Sequence, residues 1–265
     1  MNDPWHPLRR FTQARIAQGR SGCGLPTSAL LDFQIAHAAA RDAVHQPWAI
    51  DRFAKEVEVL GLEALSLSTP VASRVHYLQR PDQGRCLDEA SRRLLKSRTV
   101  EAIDVALIIS NGLSSTAVDC HGLALLRTII DTYQRSSLRL GPICLAANGR
   151  VALSDEIGAL LNARLAVIIV GERPGLSAAD SLGIYLTYAP RVGNTDAERN
   201  CISNIRPPDG LSYQAAAAKL AYLSQEALRR GLSGVQLKDD MPKWLLEPDD
   251  STPGSKSIIS TAALR

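Results

Sequence analysis

A carboxylate and a guanidinium stand side by side in Gly171-Glu172-Arg173-Pro174-Gly175-Leu176-Ser177, where two glycines and a proline restrict the shape of the chain. An acid in such a loop can accept hydrogen bonds from a ligand's amides or hydroxyls, and the neighbouring arginine can donate them. Three other stretches share this character. Asn111-Gly112-Leu113-Ser114-Ser115 joins a glycine free to take a positive φ to serines able to cap a helix. Ala147-Asn148-Gly149-Arg150-Val151 turns straight into a helical pattern, which leaves its N–H groups pointing outward. Residues 190–204 carry Arg191, Asp196, Arg199, Asn200 and Cys201. A polar connection of that length in a compact domain is more often functional than idle. Ser177 and Asp180 read as a capping pair for a helix start.

These residue types suit binding better than catalysis. Gly19-Arg20-Ser21-Gly22-Cys23-Gly24 has neither the spacing nor the preceding strand of a dinucleotide fingerprint. No phosphate-binding P-loop, no G-x-S-x-G elbow and no D-x-H-x-x-G run occurs. Cys120-His121 lies in a helical pattern, where adjacent residues do not face each other, so a metal or nucleophile pair is not expected there. His37 and His45 share one helix face near Arg41, which fits packing or an interface. The expectation is a chain with no catalytic residue and no metal ligand of its own.

Strand-like apolar runs at 75–78, 103–110, 142–146, 166–171 and 183–189 alternate with helical stretches at 87–98, 115–134 and 151–162. This alternation predicts an α/β fold: a Rossmann-like parallel sheet with helices on both faces. The candidate loops then fall at the carboxyl ends of strands, the edge where open parallel sheets bind ligands. Glu172, Arg191, Asp196, Arg199, Asn200 and Cys201 are all expected on that edge. An alanine-rich helix over 212–230 closes the domain. Before the sheet, Leu30, Leu31, Ile35, Ala38 and Val44 are spaced roughly three to four apart in a first helix, and a second follows Pro47, with Ile50, Phe53, Val57 and Leu60 on one face, and stops near Gly61. With 66–73 as a linker, the predicted organisation is a small helical N-terminal domain (1–72), a Rossmann-like domain (73–241) and an extension of disordered composition (242–265).

The bulk composition agrees. Of the 265 residues, 45% are hydrophobic but only 5% aromatic, so aliphatic side chains must fill the core. A net charge of +3 is too small to argue for nucleic acid. Five cysteines without a C-x-x-C predict free thiols in a reducing compartment. With no apolar leader and no long apolar run, a cytoplasmic protein is expected.

Three ordered runs carry a specific resemblance: Gly171–Leu176, then Asp180-Ser181-Leu182-Gly183-Ile184-Tyr185-Leu186-Thr187-Tyr188, then Arg199-Asn200-Cys201-Ile202-Ser203-Asn204-Ile205. With Leu25-Pro26-Thr27, Arg41-Asp42-Ala43-Val44-His45 and Tyr77-Leu78-Gln79-Arg80-Pro81-Asp82, they resemble the small subunit of ethanolamine ammonia-lyase over nearly the whole chain. The resemblance implies a radical lyase that converts ethanolamine to acetaldehyde and ammonia. It also implies a β/α-barrel large subunit that holds the substrate, a hetero-oligomer with six copies of each subunit, and adenosylcobalamin between the two chains. Val151, Glu172 and Cys201 match the family's cofactor contacts. The longer N-terminal extensions that some members carry are nearly absent, which argues against packaging in a bacterial microcompartment. Asn111 stands where the family often carries Asp. Two rival readings are a stand-alone nucleotide-dependent enzyme of Rossmann type and a scaffold subunit that touches no cofactor.

Overall fold

The computed structural model describes residues 3–98 and 102–242; the extension expected from residue 242 lies, but for that residue, outside the described residues. Six strands form one sheet: β1 (Ala64–Leu67), β2 (Val105–Ser110), β3 (Leu140–Ala146), β4 (Leu165–Gly171), β5 (Leu182–Tyr188) and β6 (Arg199–Ile205). Their spatial order is β1-β3-β2-β4-β5-β6. The first four are parallel; β5 runs antiparallel to β4, and β6 antiparallel to β5.

The pleat sends alternate side chains to two separate cores. Val105, Leu107 and Ile109 of β2 face one side with Val167 and Ile169 of β4. Helices α2 (Ile50–Val59), α6 (Leu123–Arg135) and α8 (Tyr213–Arg230) cover that side through Phe53, Val57, Leu126, Ile129, Leu220 and Leu223. Ala106 and Ile108 face the other side with Cys144 and Ile168. There α4 (Glu89–Lys96) and α7 (Leu153–Leu160) contribute Leu95, Leu153 and Ile157. Every residue of β2 and β4 is buried, as a strand covered on both faces requires. The α/β class with helices on both faces matches the sequence reading.

Several local expectations need correction. Residues 75–78 lie in a helix, α3 (Arg74–Gln79), not a strand: the Ser73 side chain accepts from the His76 N–H and starts a turn that buries Tyr77. Ala64–Leu67, partly read as linker, is β1 and pairs with β3, so a strand ahead of residue 72 belongs to the sheet. Residues 176–181 form no helix, so Ser177 and Asp180 cap nothing. Residues 199–204, read as loop, belong to β6. Helix α1 (Thr27–His45) exists, but of its 19 residues only Ala43 is buried. Leu30, Leu31, Phe33 and Ile35 stay exposed, Ile35 by 70%. Among the described residues no helix is long and apolar enough to cross a membrane.

The reversal at β5 also moves the fourth candidate loop. The chain from β5 to β6 passes beneath the sheet, beyond the amino end of β4, where Leu165 pairs with Tyr188. Arg191 and Asp196 therefore lie at the opposite end from Glu172. Arg199 is buried, donating to both oxygens of Asp155 on α7 at 2.6 and 2.7 Å and also to Thr187 and the Asn194 carbonyl. The Asn200 amide is spent on the Gly234 and Leu237 carbonyls. Neither is free for a ligand.

Removing one partner of the Arg199–Asp155 pair leaves a buried charge without compensation. Asp155→Ala should therefore lower unfolding stability by about 3–5 kcal/mol, read from the urea midpoint; an unchanged midpoint would show that the pair does not hold α7 to β6.

Candidate functional site

Among the described residues, no helix of the face bearing α4 and α7 covers β5 and β6. Tyr185, the one β5 side chain in contact with that core, is half-buried, and Cys201 beside it on β6 is exposed. Two adjoining hollows occupy this bare strip of sheet. The first, of about 410 Å³, is lined by residues including Tyr77, Leu113, Glu172, Arg173 and Ser203. The second, of about 550 Å³, is lined by residues including Arg85, Asp196 and Cys201. Arg150, Val151 and Tyr185 belong to both, so the hollows make one cleft along the start of α7.

Glu172 sits just beyond the end of β4, where β6 finishes alongside. Its carboxylate accepts from Ser203 Oγ at 2.5 Å, Ser181 Oγ at 2.7 Å and the Asn204 N–H at 3.2 Å. Arg173 does not pair with it. A carboxylate has about four acceptor sites, so this acid is held in one orientation with capacity for a further donor. Although Cys201 is exposed, the sheet around it desolvates the thiol and raises it above its ordinary range; a hydrogen bond with Tyr185 opposes this and the nearby Glu172 adds to it. Val151 lies in the turn that opens α7, where the Val151 carbonyl accepts from Ser154 N and Oγ.

The first three loops are knitted to one another beneath the cleft. Asn111 is buried; its Oδ1 accepts from the Asn148 N–H at 2.7 Å and its Nδ2 donates to Ser115 Oγ at 3.0 Å. That gives Asn111 a structural role, joining the first loop to the second. The Gly149 N–H donates to Ser110 Oγ. A Cβ on Gly171 would lie 2.1 Å from the Ser114 carbonyl oxygen, and one on Gly112, whose φ is +49°, 2.2 Å from Val170 Cγ2. These glycines allow close packing between the loops, and both also line the first hollow.

Asp180 anchors the segment between Glu172 and β5. It accepts from Arg206 Nε at 2.8 Å and lies 3.3 Å from Nε2 of His121, whose Nδ1 is 2.7 Å from the Tyr213 hydroxyl. His121 belongs to a π turn, Val118–Gly122, between α5 (Ser115–Ala117) and α6. Among the described residues, then, Cys120-His121 is a packing and hydrogen-bonding element, with Cys120 turned outward.

A sequence profile of the family described as ethanolamine ammonia-lyase light chain (EutC) matches residues 2–238. The chain belongs to this light-chain family. Relatives named "Ethanolamine ammonia-lyase small subunit" include one from Pseudomonas paraeruginosa, 51% identical over 96% of this chain and 93% of its own length. One from Azotobacter vinelandii is 50% identical over 96% of this chain and 94% of its own, and one from Pseudomonas syringae pv. tomato is 47% identical over 99% and 92%. In this member of the light-chain family, Val151, Glu172 and Cys201 all line the cleft. Sequence reasoning missed Tyr77, Tyr185 and Ser203 as lining residues and did not single out Arg150. Tyr77 was hidden by its assignment to a strand. Tyr185 and Ser203 become visible only once β5 and β6 are known to be antiparallel and uncovered.

Burial works against ionisation of Asp180, but its bonds to Arg206 and His121 prevail and hold it below the ordinary carboxylate range. The stability this confers is complete above the unfolded-state value of about 3.9 and fades as the pH falls through the lower folded value. Asp180→Asn should flatten that part of the acid limb in thermal melts taken between about pH 2 and pH 5; an acid limb identical to that of the wild type would remove Asp180 from the account.

Proposed function

We propose that this chain is the small subunit of an adenosylcobalamin-dependent ethanolamine ammonia-lyase, and that its cleft supplies part of the cofactor site against a large subunit. The observation that carries this reading is the uncovered strip of β5 and β6, where Val151, Glu172 and Cys201 line one continuous cleft. Its relatives' names supply the lyase and the subunit role.

The residues present fit such a ligand. Cobalamin is broad and flat and carries amide arms, so it needs an open, partly apolar floor edged by fixed polar groups. Val151, Leu113 and Tyr185 supply the floor. At one edge Glu172 stands ready to accept from an amide N–H. At the α7 edge, the Nε of Arg150 is buried without a partner among the described residues. When bound, the cofactor supplies the radical chemistry. This chain binds and orients it: Glu172 fixes one polar edge, Cys201 offers a thiol, and the Tyr185 ring excludes water from the floor.

The partner reading draws on α1. A helix apolar around most of its circumference belongs inside an assembly, yet Leu30, Leu31, Phe33 and Ile35 are bare in the isolated chain, as are Trp5 and Phe11 ahead of it. The chain expressed alone should self-associate, and co-expression with its large subunit should give a mixed complex on gel filtration that carries the corrin absorption spectrum. A monodisperse lone chain, or a mixed complex that takes up no corrin, would count against the proposal.

Within the reconstituted complex, Glu172→Ala should weaken adenosylcobalamin binding by roughly 1–3 kcal/mol, about five- to 150-fold. Glu172→Gln should be milder because one acceptor oxygen remains. An unchanged dissociation constant in an intact complex would remove Glu172 from the site.

A further inference from the structure

Tyr77 is buried beneath two guanidinium groups. The Cζ of Arg150 lies 4.1 Å from the centre of its ring and that of Arg74 4.8 Å from it. Both arginines bond only to neutral acceptors. Arg74 donates to the carbonyls of Val44 and Gly112 and to Asn148 Oδ1. Arg150 donates to the Tyr77 carbonyl. Among the described residues neither has a carboxylate within ion-pair distance, and two of their nitrogens, Arg74 Nη2 and Arg150 Nε, are buried with no partner at all. Burial pulls the Arg74 guanidinium below its ordinary range, and the charge on Arg150 adds to that effect.

Arg150 reaches the surface of both hollows, and the exposed Arg85, which also has no hydrogen-bond or ion-pair partner among the described residues, lines the second. Glu172, at the other end of the cleft, is held by two serines and a backbone N–H, and Asp196 lies 3.4 Å from Arg199. Arg150 and Arg85 thus bring two guanidinium groups to one part of the cleft, and among the described residues neither forms an ion pair. An uncompensated pair of like charges is costly unless something neutralises it, and a planar guanidinium with free N–H groups matches the oxygens of a phosphate.

We propose that the Arg150 end of the cleft is an anion site, with Arg85 as its second cation, and that its ligand is the phosphodiester of the cofactor's nucleotide arm. The choice of ligand rests on the cobalamin reading given above. The corrin's own arms are neutral amides, which leaves the phosphodiester as the cofactor's anionic group. Arg74 acts behind it as a positioning residue, holding Tyr77 and the first two loops under Arg150.

The test is a spectroscopic titration of the reconstituted complex with two corrinoids: cobalamin, and cobinamide, which keeps the corrin but lacks the nucleotide arm and its phosphodiester. Arg150→Met keeps an aliphatic side chain over Tyr77 and removes the charge. It should weaken cobalamin about ten- to 100-fold and leave cobinamide within about threefold. Arg85→Gln, at an exposed position where folding is not at risk, should weaken cobalamin alone by about two- to fivefold. Inorganic phosphate should compete with cobalamin but not with cobinamide, and the competition should vanish in Arg150→Met. Equal loss of both corrinoids, or no loss of either, would overturn the assignment. If phosphate binds the wild-type complex without affecting either corrinoid, the anion site serves free phosphate and the proposed ligand is wrong. If the wild-type complex binds neither corrinoid, the cofactor reading itself fails and this assignment falls with it.

Discussion

Arg199 donates two hydrogen bonds to Asp155 from beneath the sheet, and the bare strip of β5 and β6 depends on that contact. Among the described residues no helix packs over those strands on that face, so α7 has little apolar contact with them to fix its distance. The buried pair sets it instead. It holds the start of α7, and with it Arg150 and Val151, at a fixed separation from Cys201 and Ser203 across the cleft. Asn194, Thr187 and Asp196 meet the remaining donors of the same guanidinium. The cleft is open because a layer is missing, and it keeps its shape because a charge pair takes over the spacing role of that layer.

The opposite rim is fixed by hydroxyl groups. Ser181, just ahead of β5, and Ser203, near the end of β6, both donate their hydroxyls to Glu172. Its carboxylate therefore arrives at a ligand already oriented, and ordering it costs little further entropy. Asp180, joined to His121 and Arg206, fixes the segment that leads from Glu172 into β5. The two rims thus rest on separate networks, one centred on Arg199 and the other on Asp180, with Tyr185 between them.

Much of this organisation could be read from residue order. The continuous apolar runs of β2 and β4 announced strands buried on both faces, and the polar stretches after β2, β3 and β4 marked the edge where the cleft begins. The reversal at β5 could not be read that way. An alternating run such as Leu182–Tyr188 has the same pattern whether it pairs parallel or antiparallel; only the short span between Gly171 and Leu182, too brief for a crossover helix, pointed to a return. That one ambiguity misplaced Arg191 and Asp196 and disguised Arg199 as a surface residue. Val75-His76-Tyr77-Leu78 failed for a different reason: β-branched and aromatic residues suggested a strand, but the Ser73 cap and the burial of Tyr77 prevailed. Arg150 was in view as part of a loop, yet its importance comes from what it lacks, a counter-charge, and a missing partner is visible only in three dimensions.

Helix α1 carries a consequence for how the chain exists in a cell. A helix with one buried residue in 19 gains little from the described residues of its own chain, so on the proposed reading much of the free energy that keeps it folded comes from the large subunit. Folding of this segment is then linked by mass action to the concentration of the covering subunit. A surplus of the small chain would offer chaperones and proteases an exposed apolar helix. Its steady-state level would follow that of its partner, and matched synthesis of the two chains would be a requirement of the fold itself.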